Sequence, residues 1–394
     1  MTLRRVPHAV LALIALGTAV RLGIAFWSTG TFFDLDSYAV VDRGLSTHGL
    51  HVYSAINSFV IRWPYPPGYF PVIGLVKTLA TATGVDFHQL MRVPPIAADA
   101  GLAWLVQHMV ARRGGSGAAR IGATAAIALG PIFAGTSSYQ GQLDSVAILP
   151  AVGALAVWDS AARTDRRALG AGLLIGLGAT FKTAPILMLV ALAPLARSRR
   201  ELALLVGGAV AIPALTLAPF AVADPHGVAH ALRYHGLPGL GGLSLLSQPN
   251  LPLDWLTDGP VRTTGFAQTL TEGAVFVLLP ALAAFAFTLQ RRKATVRPVT
   301  AVAILWLVFY VFGVNFLMQY LVWGLPFLVL AAGWRWTLAA QLALTPAMLL
   351  VFLKTDSHAL VWLLYTGPLI LMWAAGAALL VRAARSRPTA SRAA

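Results

Sequence analysis

The chain has no cysteine, and only 14 of its 394 residues are acidic. Without thiols there is no disulfide, no thiolate nucleophile and no Cys-ligated metal, and the redox compartment cannot be inferred. Charge of either sign is scarce. Asp, Glu, Lys and Arg make up 11% of the chain, against about 25% in soluble globular domains. With 58% hydrophobic residues and a mean hydropathy of +0.74, a water-soluble fold is excluded. The composition is that of an all-α polytopic membrane protein. The net charge of +15 does not point to nucleic acid, because the basic residues come in short clusters between apolar runs rather than on one face.

Thirteen apolar runs approach the roughly 20 residues a spanning helix needs. They fall at about 8–27, 66–83, 91–111, 118–135, 144–160, 168–181, 184–196, 202–222, 266–289, 299–314, 320–334, 336–353 and 359–381. The first carries arginines before it and no small-residue cleavage site after it, so it is expected to stay as a helix. The basic clusters, including Arg4 and Arg5, Arg112 and Arg113, Arg291 to Lys293 and the tail arginines, orient the chain. If every cluster is cytoplasmic, one early run must not cross. The run at 66–83 opens with Pro-Tyr-Pro-Pro-Gly-Tyr and contains Pro71 and Lys77, which makes it the interfacial segment. About twelve spans follow, with both termini cytoplasmic and external loops at 28–90 and 223–265. The membrane domain covers 1–382, and the Arg/Ser/Ala tail at 383–394 reads as disordered and cytoplasmic.

On this topology most of the acid lies outside. Asp34, Asp36 and Asp42 fall within nine residues in FFDLDSYAVVD. An ionisable group inside a membrane span costs about 2.5–3.5 kcal/mol on insertion scales, so each one marks a candidate site. Arg92 and Asp99 lie seven residues apart on one helical face, as a structural pair or as part of a site. Asp144 heads a run in SSYQGQLDS, and Lys182 tips a short hairpin, FKTAP, expected to turn within the bilayer. The hairpin tip has little structural need for an ammonium group. The second external loop holds Arg233, Tyr234 and His235. Two carboxylates can share a divalent cation with a diphosphate, and Asp42 can complete such a site, but no histidine stands at ligand spacing in the loop. No metal site or cofactor is therefore expected.

Taken in order, FFDLDSY, PYPPGYFP, MRVPPIAAD, GQLDS, FKTAP and NFLMQYLVWGLPF resemble the membrane glycosyltransferases of the GT-C fold that use a polyprenol-phosphate-linked sugar. The set is similar to the first mannosyltransferase of GPI-anchor synthesis and to the bacterial glycosyltransferases of family 87, and spans about residues 20–330. Gln142 and Leu143 lie nearer the family 87 pattern. The resemblance implies a catalytic carboxylate in the first external loop, with Asp34 and Asp36 matching a D-x-D motif, and juxtamembrane helices at 36–50 and 66–83.

It implies in turn an inverting hexosyl transfer, of mannose or a similar sugar, from a polyprenyl-phosphate donor to a hydroxyl on a glycan, lipid or protein acceptor. The chemistry would run on the extracytoplasmic face of the plasma membrane, in cell-envelope synthesis. Asp34 is taken as the base and Asp36 as its neighbour, orienting the acceptor or raising the base's pKa, although the sequence leaves open which of the two serves as base. Lys182, Arg92, Arg233 and His235 are the cations for the leaving phosphate. Trp63, Tyr65 and Tyr69 are expected against the lipid, with Gln142, Asp144, Gln319 and Tyr320 contacting substrate. Tyr320 and Trp323 also fit the ordinary aromatic belt. The rival reading is a transporter or lipid-linked-sugar flippase, which would place buried charges near the midplane and repeat its broken helices.

Overall fold

The computed structural model describes residues 6–160, 164–234, 241–256, 265–314, 316–353, 355 and 357–385. Among these the chain is helical throughout, with one isolated bridge between Gly241 and Phe316 and no strand. That is what a chain with this little charge must do, because a backbone crossing hydrocarbon has to satisfy its polar groups internally. Among the described residues six helices are long and apolar enough to cross a membrane: His8–Trp27, Gly117–Tyr139 taken as one run, Arg199–Ala223, Ala274–Arg291, Trp334–Leu353 and His358–Arg385. Their outward faces carry Leu11, Leu215, Phe276, Leu342 and Leu371, all exposed. The protein is an all-α polytopic membrane protein.

The chain divides into two compact units. The first comprises Met1–Leu189, Ala196–Tyr234 and Gln319–Thr345; the second comprises Val190–Leu195, His235–Met318 and Pro346–Ala394. Within the first unit we label α1 (His8–Trp27), α2 (Phe32–His48), α3 (Phe70–Thr83), α4 (Val93–Arg112), α5 (Gly117–Ala128), α6 (Asp144–Trp158), α7 (Asp165–Phe181), α8 (Arg199–Ala223), α9 (Pro225–Leu232) and α10 (Leu321–Ala332). In the second unit, Pro298–Phe312 packs with Ala274–Arg291 and with Gly367–Arg385, where the Trp373 indole donates to the Val311 carbonyl at 3.0 Å.

The segment at 66–83 does not make a spanning helix. A 3-10 turn at Pro67–Tyr69 leads into α3, whose 14 residues at 1.5 Å rise reach only about 21 Å, short of the roughly 30 Å hydrocarbon layer. Phe70, Ile73 and Val76 form its buried stripe, while Leu75 and Leu79 are exposed on the other side. The stripe packs into a cluster with Leu35, Tyr38 and Val41 of α2 and with Tyr53, Trp63 and Tyr69 between the two helices. The segment between α1 and α4 is thus a folded layer with an aromatic core. The D-x-D motif lies at the start of α2, with Asp34 in its first turn, and the helix begins four residues before the expected boundary at 36.

Helices α7 and α8 approach closely because both present glycine. A Cβ at Gly172 or Gly176 would collide with backbone of Leu205, Gly208 or Ala209, and one at Gly208 with Leu169. This is the small-residue packing expected where lipid supplies no hydrophobic drive between helices. Helix α7 stops at Phe181, Lys182 is extended, and a 3-10 turn runs over Ala184–Leu187, so the short run expected at 184–196 is broken rather than one straight helix.

One expectation fails here. Asp99 does not pair with Arg92. Its carboxylate takes the Arg21 Nε of α1 at 2.9 Å and the Ser137 hydroxyl at 2.6 Å, and it also accepts the Ser145 hydroxyl. Arg21 goes on to the carbonyls of Gly17, Ile127 and Ala128. This fully buried network ties α1, α4, α5 and α6 together around a π-helical turn at Gly135–Tyr139. Arg92 sits just ahead of α4, where its guanidinium instead donates to the carbonyls of Ala25, Ser28 and Thr29. Ala25 lies in the last turn of α1 and Ser28 and Thr29 just follow it, so Arg92 caps the C-terminal end of that helix.

Candidate active site

The turn SSYQGQLDS brings the site together. Gly141 has φ +71°, a conformation that disfavours a side chain, and a Cβ there would strike Leu35 and Arg92. Its carbonyl accepts the Tyr38 hydroxyl at 2.8 Å, which locks the turn onto α2. Tyr38 lies one helical turn beyond Asp34 and on the same face of α2. The turn therefore delivers Gln142 to Asp34, whose Oδ1 accepts the Gln142 amide at 2.7 Å.

Two residues later Asp144 begins α6 and is completely buried. Its Oδ1 accepts Lys182 Nζ at 2.8 Å and the Trp323 indole N–H, while Oδ2 has no hydrogen-bond partner. The ammonium lies over three rings, with centroids 5.0 Å away at Tyr65, 5.4 Å at Tyr320 and 5.5 Å at Trp323. Tyr320 and Trp323 stack on each other at 4.1 Å. An ammonium removed from water is stabilised by both the carboxylate and the ring faces, and it still has N–H donors to spare, since lysine carries three.

Burial raises the Asp34 carboxyl to about pKa 7, against the pull of Lys182 and the Gln142 hydrogen bond, with the charge of Asp144 adding to the rise. The same burial and the two aspartates push Tyr65 up, and Tyr234, exposed at the end of α9, is raised by burial and by Asp34. Asp34, Gln142, Asp144, Lys182, Tyr65, Tyr320 and Trp323 thus form one electrostatic cluster with Tyr234 at its edge. Chemically it offers a carboxylate that titrates near neutrality beside a fixed ammonium, in an aromatic wall suited to the faces of a sugar ring or an isoprenoid.

The other expected residues lie elsewhere. Asp36, two positions along α2, points away and pairs with Arg62 at 3.2 Å, both side chains about a quarter exposed. It contributes nothing to the Asp34 rise, and the like-charge neighbour is Asp144. Arg92 is occupied with α1, and Arg233 is exposed at the end of α9. Tyr69 lies one layer away, stacked on Trp63 at 6.4 Å and edge-on to Phe181. Gln319 reaches the cluster's rim, with its side-chain oxygen 3.4 Å from the Gln140 amide. His235 falls outside the described residues. No group of three His, Asp or Glu gathers among the described residues. Trp323, read from sequence only as an interfacial aromatic, turned out to be a direct partner of Asp144; its spacing of three from Tyr320 was the available signal.

Residues 63–249, just under half the chain, match the model of glycosyltransferase family 87. No curated protein and no solved structure matches the chain. The matched stretch holds Tyr65, Gln142, Asp144 and Lys182, while Asp34 lies ahead of it and Tyr320 and Trp323 beyond it. The segment that supplies most of the buried charge is thus similar to glycosyltransferase family 87.

Proposed function

We propose that the protein transfers a sugar, mannose or a similar hexose or pentose, from a polyprenyl-phosphate donor to an acceptor hydroxyl on the extracytoplasmic side of the plasma membrane, with inversion at the anomeric carbon. The observation that carries this reading is the pairing of Asp34, whose carboxyl is raised to about 7, with the Lys182 ammonium close enough to oppose that rise. A donor with a phosphate leaving group needs a base on one side of the anomeric carbon and a cation on the other.

In the proposed step an Asp34 carboxylate oxygen takes the acceptor hydroxyl's proton as that oxygen bonds to the anomeric carbon. The bond from that carbon to the phosphate oxygen breaks, and its electron pair leaves with the phosphate. Lys182, held in place by Asp144, turns its remaining N–H donors to the phosphate oxygens. Gln142 keeps Asp34 oriented. The rings of Tyr65, Tyr320 and Trp323 pack against the sugar or the first isoprene units. The acceptor is a glycan, lipid or protein bearing a free hydroxyl. No step needs a metal, and both termini are placed in the cytoplasm.

The test is a donor screen with the purified full chain in lipid, offering mannose, glucose and arabinose on decaprenyl or undecaprenyl phosphate. One of them should yield product with the opposite anomeric configuration. Retained configuration, or turnover only with nucleotide sugars, would rule the proposal out.

A pH series on the active donor provides a second check. The base must be ionised to work, and its pKa lies above the ordinary carboxylate value. Transfer should therefore rise with pH through about 7 and fall below it. Removing the Gln142 hydrogen bond in Gln142→Leu should move that limb to higher pH, because the bond lowers the Asp34 pKa. A limb at pH 4 in both proteins would show that Asp34 is not the titrating base.

A further inference from the structure

On the side of α2 away from the buried cluster, a cavity of about 420 Å³ opens between the C-terminal half of that helix and the segment 55–62. Its walls carry Arg43, Arg62 and His48 together with the hydroxyls of Thr47 and Ser58, and no carboxylate lines it. The cavity exists because position 44 is glycine, where a Cβ would collide with Ile56, so the following segment can fold back against the helix.

Two features of these walls call for a ligand. Arg43 is exposed and its guanidinium has no hydrogen-bond or ionic partner among the described residues, while Arg62 is only partly neutralised by Asp36. Phe59 and Val60, which also line the cavity, are 100% and 54% exposed. A bare phenylalanine beside paired cations suits an amphiphile, with the ring entering the acyl region while the guanidinium groups meet an anionic head.

We infer that this cavity binds the phosphate of a lipid headgroup, with Arg43 and Arg62 on the phosphate oxygens, Ser58 as a neutral donor, and Phe59 and Val60 against the first part of the acyl chain. The site is separate from the Asp34 cluster. Because α2 bears both, an occupied site would fix the height of Asp34 at the membrane surface. The inference does not rest on the proposed transfer reaction.

The absence of native cysteine makes a single-site probe clean. The full chain carrying Ser46→Cys, labelled with an environment-sensitive dye, is placed in phosphatidylcholine nanodiscs containing increasing phosphatidylglycerol. The dye signal should saturate with phosphatidylglycerol. Arg43→Gln should raise the half-saturating fraction about fivefold, as expected for one arginine near an anionic surface. Phe59→Ser should weaken the response to phosphatidylglycerol. Lys77→Gln, which removes an exposed cation outside the cavity, should leave the titration unchanged. The site is refuted if Arg43→Gln and Lys77→Gln shift the titration equally, since that is general surface charge, or if phosphatidylcholine alone gives the full signal. If inorganic phosphate alone produces the same saturating change, the cavity takes a free phosphate and the lipid assignment is overturned. Arg43 is exposed, so its replacement does not threaten folding.

Discussion

Asp34→Asn should lower sugar transfer by about 10²- to 10⁴-fold, the usual contribution of a positioned general base, while Asp36→Asn should cost less than about tenfold on the same scale. The two carboxylates sit in one motif, yet their surroundings differ. Asp34 is held by Gln142 and feels Lys182 and Asp144, whereas Asp36 is a surface partner of Arg62. A partly exposed ion pair of that kind contributes about 0.2–1 kcal/mol, so its loss should barely move the melting temperature.

Asp34→Asn has a stability sign of its own. A carboxyl whose folded-state pKa is raised loses stability as pH climbs from its ordinary value through about 7. The amide removes that loss, so at pH 8 the variant should melt no lower than the parent. Equal activity loss in the two variants would return the D-x-D motif to a single two-carboxylate site, and full activity in Asp34→Asn would remove it as the base.

Lys182→Met should abolish transfer and also unsettle the fold. It leaves Asp144 as a buried charge with only the Trp323 indole on Oδ1 and nothing on Oδ2. Breaking a buried pair by deleting one partner costs about 3–5 kcal/mol, while replacing both partners with apolar groups is often neutral. The double variant Lys182→Met with Asp144→Leu should therefore recover most of the lost stability in detergent and none of the activity. That separation distinguishes an ammonium that serves the phosphate from one that serves only the fold. A double variant with restored turnover would show that Lys182 is a structural ion and would leave the leaving group without its assigned cation.

Several site residues could be read from the sequence for one energetic reason. A charge within or beside an apolar run is expensive, so Lys182 in FKTAP and Asp144 in GQLDS stand out, and the ordering of the short motifs pointed to the family found over residues 63–249. The prolines and the lysine of 66–83 set it apart in the sequence from the spanning runs, and the helix it forms, α3, has only 14 residues. The separation of Asp34 from Asp36 could not be read while their segment was taken for a loop. Once the segment is a helix, a spacing of two turns the side chains by about 200°, toward different neighbours.

Composition and hydropathy alone determined that the chain is a helical membrane protein, because hydrocarbon leaves a backbone no other way to satisfy its polar groups. They also determined which ionisable residues had to find partners. Which partner each one found was decided only by tertiary structure. Asp99 met Arg21 from 78 positions away, Arg92 turned to the end of α1, and Asp144 took both Lys182 and Trp323. Those choices depend on how each helix is rotated about its axis and how far it slides along its neighbour. Glycines and close packing between helices distant in sequence set both quantities, and no local stretch of the chain encodes either.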